Sequence, residues 1–481
     1  MTDHHLSYPK WLAYGVGHVL NDVCASMWFT YLLIFFKKVL QFSDTISGSA
    51  LLIGQVADGI STPIVGILAD KRFQHRIFKY GRRKVWHLVG TICVMSSFPF
   101  IFSPFFGFKT DDRRVEFLYY CLFIVVFQFG WASTQISHLS LVNDLTPHED
   151  ERTSLFTVRY SFTVLSNLAV YALLYVIFKS TRMGNDSLIG PHDLYNFQLV
   201  AYIAVGLGTL MSIIFHIFIE DKSYTTLATH SEQTSRTSIL TSKRTYEAIC
   251  VYMSTRLFVN LGQTYIPLYL QDTLHLPSQY LAVLPFIMFI TGYITSFIIK
   301  PLNVQFGRKV TYMLSAFFGL ITCLWIRVGH DDYYKYYEIY AVVGCYGAFG
   351  SLMLVTSLGI VSDLIGRNTE TGAFVFGIMS FADKIANGLV VFVIEYIRSF
   401  QPDNHCYYKH ILFYVCGTVA ILAIISVMQI KPSDYIVLQE PAVNNGNEIL
   451  APQHAGDDDD EEDKRNNSSL TNQINNDSFE A

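Results

Sequence analysis

The sequence predicts an all-α membrane protein of twelve transmembrane helices, arranged as two pseudo-symmetric six-helix halves. Composition is the first reason. Of 481 residues, 51% are hydrophobic and only 15% charged, and mean hydropathy is +0.32. A soluble domain carries about 25% charged residues to cover its surface, so the balance argues against a soluble enzyme or a nucleic-acid partner. The second reason is that apolar runs of about 20 residues recur along the chain, each long enough to cross a bilayer core of ~30 Å. The third is a repeated turn: Tyr80-Gly81-Arg82-Arg83-Lys84 follows the second run and Phe306-Gly307-Arg308-Lys309 follows the eighth.

The first half takes spans 11–36, 46–69, 85–104, 117–142, 155–178 and 197–219. Residues 1–10 are polar, with two histidines and no basic stretch, so no cleavable signal peptide is expected before span one. Residues 220–244 are rich in Ser and Thr, carry Lys222, Arg236, Lys243 and Arg244, and read as a flexible cytosolic tether. The second half, residues 245–430, takes spans 246–270, 281–299, 310–328, 337–361, 372–397 and 411–430. Residues 431–481 form an acidic, Asn- and Ser-rich tail, disordered by composition. Much of the net charge of −5 comes from it, through the run GDDDDEEDK. Tyr435 and Leu438 fit a tyrosine-x-x-bulky pattern read by trafficking adaptors.

Orientation follows from Lys and Arg. The loop after span two holds Lys71, Arg72, Arg76, Lys79, Arg82, Arg83 and Lys84, and it falls on the same side as the tether and Lys300, Arg308 and Lys309. Even parity then puts both termini in the cytosol. Lys37, Lys38, Lys109, Arg113 and Arg114 lie opposite, and Asp111, Asp112 and Glu116 dilute the last three. The sequon at Asn185 falls on the non-cytosolic side and is open to glycosylation. Seven of eight cysteines lie in apolar runs, with Cys406 in a loop, and no metal-ligand or disulfide spacing stands out. No cofactor and no metal are expected.

A charge inside a span costs roughly 2.5–3.5 kcal/mol on insertion scales, so each is a candidate for function. His18 and Asp22 are four apart on one face of span one, suited to a proton or an ammonium, or to satisfying each other. Asp58 and Thr62 share a face of span two, and Pro63 frees a nearby carbonyl, so a small cation or proton could be held there; the plain alternative is a kink with one paired acid. Arg159 sits in span five, Arg256 and Asn260 in span seven, and Asp383, Lys384 and Asn387 in span eleven. Asp383 and Lys384 project about 100° apart, so Lys384 is free to meet Asp22 or Asp58 across the halves. On span four, Gln128, Trp131 and Gln135 make a polar stripe that suits either a lining or helix packing. Glu395, Arg327 and Arg398 lie near span ends, where snorkelling would carry them to water. Glu149, Asp150, Glu151 and Arg152 lie at the cytosolic boundary, where the three carboxylates suit either pairing with the basic loop after span two, as a cytosolic gate built on Gly66, Asp70, Gly81, Arg82, Arg83 and Lys84, or a solvated charge run.

These residues resemble the major facilitator superfamily, specifically its glycoside–pentoside–hexuronide:cation symporter branch. The likeness covers the twelve-span core and is strongest at Asp58…Pro63…Gly66…Asp70…Gly81-Arg82-Arg83-Lys84…Trp86. It implies that Asp58 helps bind a coupling cation, that Asp22 binds substrate, and that Arg159 and Lys384 match the branch's basic residues. Sugar carriers of the branch have acids where this chain has Thr62 and Gln135, which weakens a Na⁺ site and a sugar here. The runs GHVLND, WHLVG, SFPFIFSP and FQFGWASTQISHLSLV resemble an animal group within the branch associated with lysosomes, melanosomes and cysteine entry. That resemblance implies a lysosomal cysteine carrier, with Asp22 taking the ammonium and Arg159 or Lys384 the carboxylate. The expected central site is therefore Asp22, Asp58, Arg159, Arg256 and Lys384, with H⁺ as a coupling ion. A sugar:cation symporter and a non-transporting membrane scaffold or sensor remain the alternatives.

Overall fold

A run of intramembrane residues must satisfy its backbone internally, which leaves helices as the economical solution for these sequences. The computed structural model describes residues 7–70, 80–105, 112–146, 148–181, 188–221, 243–365 and 369–430. Tyr435, Leu438, Asn185, the loop 71–79 and most of the tether lie outside them.

Twelve long helices follow in order: α1 Tyr8–Val39, α2 Asp44–Asp70, α3 Arg82–Ile101, α4 Arg113–Leu145, α5 Glu149–Thr181, α6 Leu194–Phe218, α7 Lys243–Asp272, α8 Tyr280–Phe306, α9 Arg308–Val328, α10 Ile339–Ile365, α11 Thr369–Arg398 and α12 Tyr407–Gln429. Local chemistry sets several ends. Asp112 caps α4, accepting from the Arg114 N–H at 2.9 Å. Gly81 (φ 122°) and Gly307 (φ 79°) open α3 and α9 in a backbone region that side chains disfavour.

Among the described residues, eleven helices are long and apolar enough to cross a membrane. The exception is α7, whose apolar pattern is broken by Arg256, Asn260, Gln263 and Gln271. Position explains this: from Asn260 to Gln271 every residue of α7 is buried, so protein rather than lipid is its solvent. Its counterpart α1 is buried over almost its whole length too. The outer helices instead turn apolar side chains outward, among them Leu118, Leu210, Phe297 and Val304.

The packing repeats with an offset of six. In the first half α3 packs on α4 and α6, α2 on α4, and α1 on α5 and α6; in the second α9 packs on α10 and α12, α8 on α10, and α7 on α11 and α12. The two halves meet through α2 with α11 and α5 with α8, which the same operation exchanges, and through α1 with α7.

The repeated turn does the same work twice. Arg83 Nη1 bonds the Ser140 carbonyl near the end of α4, and Lys84 Nζ bonds the His216 and Ile219 carbonyls at the end of α6, at 3.1 and 2.6 Å. Arg308 Nη1 bonds the Gly359 carbonyl near the end of α10 at 3.0 Å, and Lys309 Nζ bonds the Met428 and Ile430 carbonyls at the end of α12. Cations placed on unpaired helix-terminal carbonyls satisfy groups that lipid cannot.

Candidate functional site

Between the halves lies a cavity of about 300 Å³, lined by Phe29 of α1, Thr163 and Asn167 of α5, and Arg256, Asn260 and Gln263 of α7, with α8 and α10 closing it. The five residues expected to form one site are divided among three ionic clusters, two of which reach the cavity wall through Thr163 and Arg256.

The first cluster belongs to the first half. His18 Nδ1 lies 2.9 Å from Asp22 Oδ1, the Thr163 hydroxyl donates to Asp22 Oδ2 at 2.9 Å, and Arg159 Nη2 lies 3.1 Å from His18 Nε2. A guanidinium only donates, so Nε2 of His18 accepts and its Nδ1–H faces the carboxylate. Arg159 thus reaches Asp22 through His18, and Thr163 links the cluster to the cavity wall.

The second cluster crosses the halves. Lys384 Nζ sits 2.6 Å from Asp58 Oδ1 and 2.6 Å from Thr62 Oγ1. The hydroxyl of Thr62 itself donates to the Asp58 carbonyl, at 2.8 Å. The position expected for a small cation is therefore held by the protein's own ammonium. Asp58 and Asp22 are both buried, 6% and 5% exposed, where a charge without a partner is expensive.

The third cluster is within the second half. Arg256 Nε lies 2.9 Å from Asp383 Oδ2, and Asn387 bonds Asp383 Oδ1 at 2.5 Å. Asn387 thus serves Asp383 and not Lys384, because four residues place it directly over the aspartate. Adjacent residues of α11 consequently face different neighbours: Asp383 turns to α7, Lys384 to α2.

Of the five expected residues, only Arg256 lines the cavity; Asp58 and Lys384 stand apart from it on α2 and α11. Gln135 does not line it either, since its side chain accepts from Trp131 Nε1 at 3.0 Å. The ends of the helices also differ from expectation. Glu395 is fully buried and takes Lys37 Nζ at 2.5 Å, with Tyr408 also bonded to it, and Lys37 pairs with Asp44 at 2.6 Å. Lys38 reaches Asp272 at 2.7 Å. Arg398 is 8% exposed and spends its guanidinium on the carbonyls of Gln401, Pro402 and Asn404. These side chains turn inward because partners from the other half, or from their own turn, are closer than water. Gln271 adds a bond to the Ile189 carbonyl at 2.8 Å, so one end of the molecule is tied across the halves by several contacts.

At the opposite end, Arg83 pairs with Asp144 at 2.9 Å, and Asp221 receives the Arg83 and Lys84 N–H groups at 2.8 and 3.3 Å. These contacts of the turn join the first half to the first residues of the tether. Glu151 bonds Thr146, and Arg152 bonds the Thr146 carbonyl at 3.0 Å, contacts within the α4–α5 connection; the basic loop 71–79 lies outside the described residues. Arg82 begins α3, Gly66 lies in the second half of α2 with open space around it, and the side chain of Asp70 lies outside the described residues. Sequence spacing does not single out Asp144, Asp221, Asp383 as the partner of Arg256, the buried His87 or the half-buried His216; their partners are remote in the chain, although the i, i+4 pair Arg159–Thr163 is available as a signal.

Residues 13–403 match the family model described as MFS/sugar transport protein, MFS standing for major facilitator superfamily. The chain belongs to this family. It is 39% identical over 445 residues to the major facilitator superfamily domain-containing protein 12 of Homo sapiens, covering 86% of this chain and 90% of that one. The Equus caballus protein of the same name is 39% identical over 450 residues, covering 88% and 92%. Among solved structures, the nucleoside transporter NupG superposes with a TM-score of 0.63 at 12% identity, over 88% of this chain and 100% of that one. A D-xylose-proton symporter gives 0.61 at 15%, over 89% and 96%. The facilitator fold, with its two six-helix halves, is that of a multi-pass membrane transporter, and the protein is not an enzyme. Cross-half ion pairs of Lys37 with Glu395 and Lys38 with Asp272 join the two halves that flank the cavity.

Proposed function

We propose that this transporter moves cysteine from the cytosol into the lumen of a lysosome or related organelle by alternating access, with both termini cytosolic. The observation that carries the reading is the inter-half cavity of about 300 Å³, at the lower end of the about 300–1,000 Å³ typical of ligand pockets and thus suited to a small solute. Its ends are chemically unlike. Arg256 offers a guanidinium whose present partner, Asp383, a substrate carboxylate can displace. Across the cavity Thr163 leads to Asp22, the acid suited to an ammonium. A zwitterion uses both ends, whereas a sugar uses neither charge. The likeness of the chain to the animal group linked with cysteine entry supports the same choice.

Asp58 and Lys384 are the coupling pair. Lys384 and a bound cation compete for one carboxylate, so a proton on Asp58 releases Lys384 and loosens α2 from α11. A proton accompanying cysteine into an acidic lumen would move uphill; an outgoing proton exchanged for cysteine moves downhill, and exchange is the mode proposed. In this orientation the ion pairs of Lys37 and Lys38 close the lumenal end, and the turn at Gly81–Lys84, with Gly66 and Asp70 before it, belongs to the cytosolic gate. The domain division follows: a cytosolic segment 1–10, halves 11–219 and 245–430, a cytosolic tether 220–244, and a cytosolic tail 431–481 whose Tyr435 and Leu438 meet trafficking adaptors.

Uptake into vesicles holding the purified protein tests the substrate. Labelled cysteine should accumulate, and labelled xylose or melibiose should not. Accumulation of a sugar with no cysteine would replace this reading with a sugar symporter, and movement of neither in any gradient would favour a scaffold.

A further inference from the structure

The α-helical path of α1 breaks at Gly17–His18, between the regular segments Tyr8–Val16 and Val19–Ile34, well before its π-helical last turn at Phe35–Val39. Inside a membrane, such an interruption persists only where protein groups satisfy the backbone it releases. The Gly17 N–H turns back three residues to the Tyr14 carbonyl at 3.1 Å. Two imidazoles from other helices meet the carbonyls at the break. His138 Nε2 of α4 lies 2.8 Å from the Tyr14 oxygen, and His87 Nε2 of α3 lies 3.0 Å from the Gly17 oxygen. A carbonyl only accepts, so Nε2 carries the hydrogen in both rings. The second nitrogen of His87 is then an acceptor, and His216 Nε2 stands 3.0 Å from it.

The clamp is packed from all sides. His138 and His87 are 0% and 1% exposed. The Tyr14 hydroxyl donates back to the His138 carbonyl at 3.1 Å, and its ring stacks on the imidazole at 4.2 Å. Gly17 has no room for a side chain: a Cβ there would stand 2.4 Å from Phe215 and 2.8 Å from His138 Nε2. Directly after the break come His18 and, one turn on, Asp22, the residues that meet Arg159 and Thr163 beside the cavity.

We propose that His87 and His138 are positioning residues of transport: their Nε2–H groups clamp the interruption in α1 and hold His18 and Asp22 in register with Arg159 and Thr163. The inference takes from the proposed function only that Asp22 faces the substrate. The two imidazoles act as neutral hydrogen donors, so glutamine, whose amide nitrogen reaches the place of Nε2, can stand in for them. The glycine supplies the close approach, and the histidines supply the bonds that a continuous helix would have made with its own backbone.

The test uses the full-length carrier with two readouts, cysteine uptake kinetics in vesicles and hydrogen exchange of the backbone amides of residues 14–22. His138→Ala and His87→Ala are each expected to raise KM by about tenfold, the factor that follows from losing one buried hydrogen bond. Exchange in residues 14–22 should quicken by a similar factor in both variants. His138→Gln and His87→Gln should restore KM and protection together. In an Asp22→Asn background, His138→Ala should add no further rise in KM, because the two changes act through one group. The proposal is overturned if the glutamine variants behave like the alanine variants, if the effects on KM multiply, or if exchange in residues 14–22 is unchanged. Absence of cysteine uptake by the wild-type chain would sink the substrate reading, and the exchange measurement alone then decides the clamp.

Discussion

Asp58 and Lys384 show what a single buried charge costs here. Removing one partner leaves the other uncompensated, a loss of roughly 3–5 kcal/mol. Asp58→Asn and Lys384→Ala should therefore each lower the melting temperature of the purified protein, and the double variant should be more stable than either single one. Equal losses from all three, or additive ones, would mean that the two side chains do not rely on each other. Half of this residue-level chemistry is legible in the sequence. Spacing alone puts His18 over Asp22 and Thr62 over Asp58, because four residues is one helical turn. It also frees Lys384 to meet an acid of the other half. It does not say that Asp383 takes Arg256, which is 127 residues distant, or that Lys37 reaches Glu395. Those pairs exist only once helices from different parts of the chain are packed, and a charge near a span end looks the same whether water or a partner awaits it.

The turn that opens α3 and α9 belongs to the scale of the element. Its recurrence in the sequence marks the internal repeat, and its composition suggests a cytosolic latch. The structure adds a shared structural task, stitching the third helix of each half to the ends of the fourth and sixth. Lys84→Ala and Lys309→Ala should each release helix-terminal carbonyls and cost about 1–3 kcal/mol. Because they lie in different halves, their effects on thermal stability should add; strong non-additivity would contradict independent stitches. Gly81→Ala should cost more than Gly307→Ala. Both impose a positive φ on a side chain, but only at Gly81 would the new Cβ also strike Asp221, at 2.4 Å. The polar character of α7 was less legible. The sequence reading takes residues 246–270 as a span like the others, and the reason for its polar side chains appears only when its buried place against α1 is known.

For the whole molecule, the ion pairs at the Lys37 end hold the halves together on that side while the cavity lies between them. Lys37→Ala should unlatch this end, and a cysteine introduced at Asn260 in a Cys406→Ser background should then react faster with a membrane-impermeant thiol reagent applied from that side. Unchanged labelling would mean that Lys37, Asp44 and Glu395 contribute stability but not closure. The twelve-helix, two-half architecture was readable because bilayer thickness fixes the length of a span and the repeat fixes the pairing. The site was less readable, because a sequence does not reveal how five charged residues divide among three clusters. The central claim is that the Asp58–Lys384 pair couples a proton to cysteine moving through the inter-half cavity. The most direct test measures labelled cysteine uptake by reconstituted vesicles with and without an outwardly directed proton gradient. Uptake by the wild type should be faster with the gradient, and Asp58→Asn should abolish that acceleration while retaining exchange of cysteine for cysteine. Cysteine uptake that responds to the gradient identically in wild type and Asp58→Asn would contradict the account.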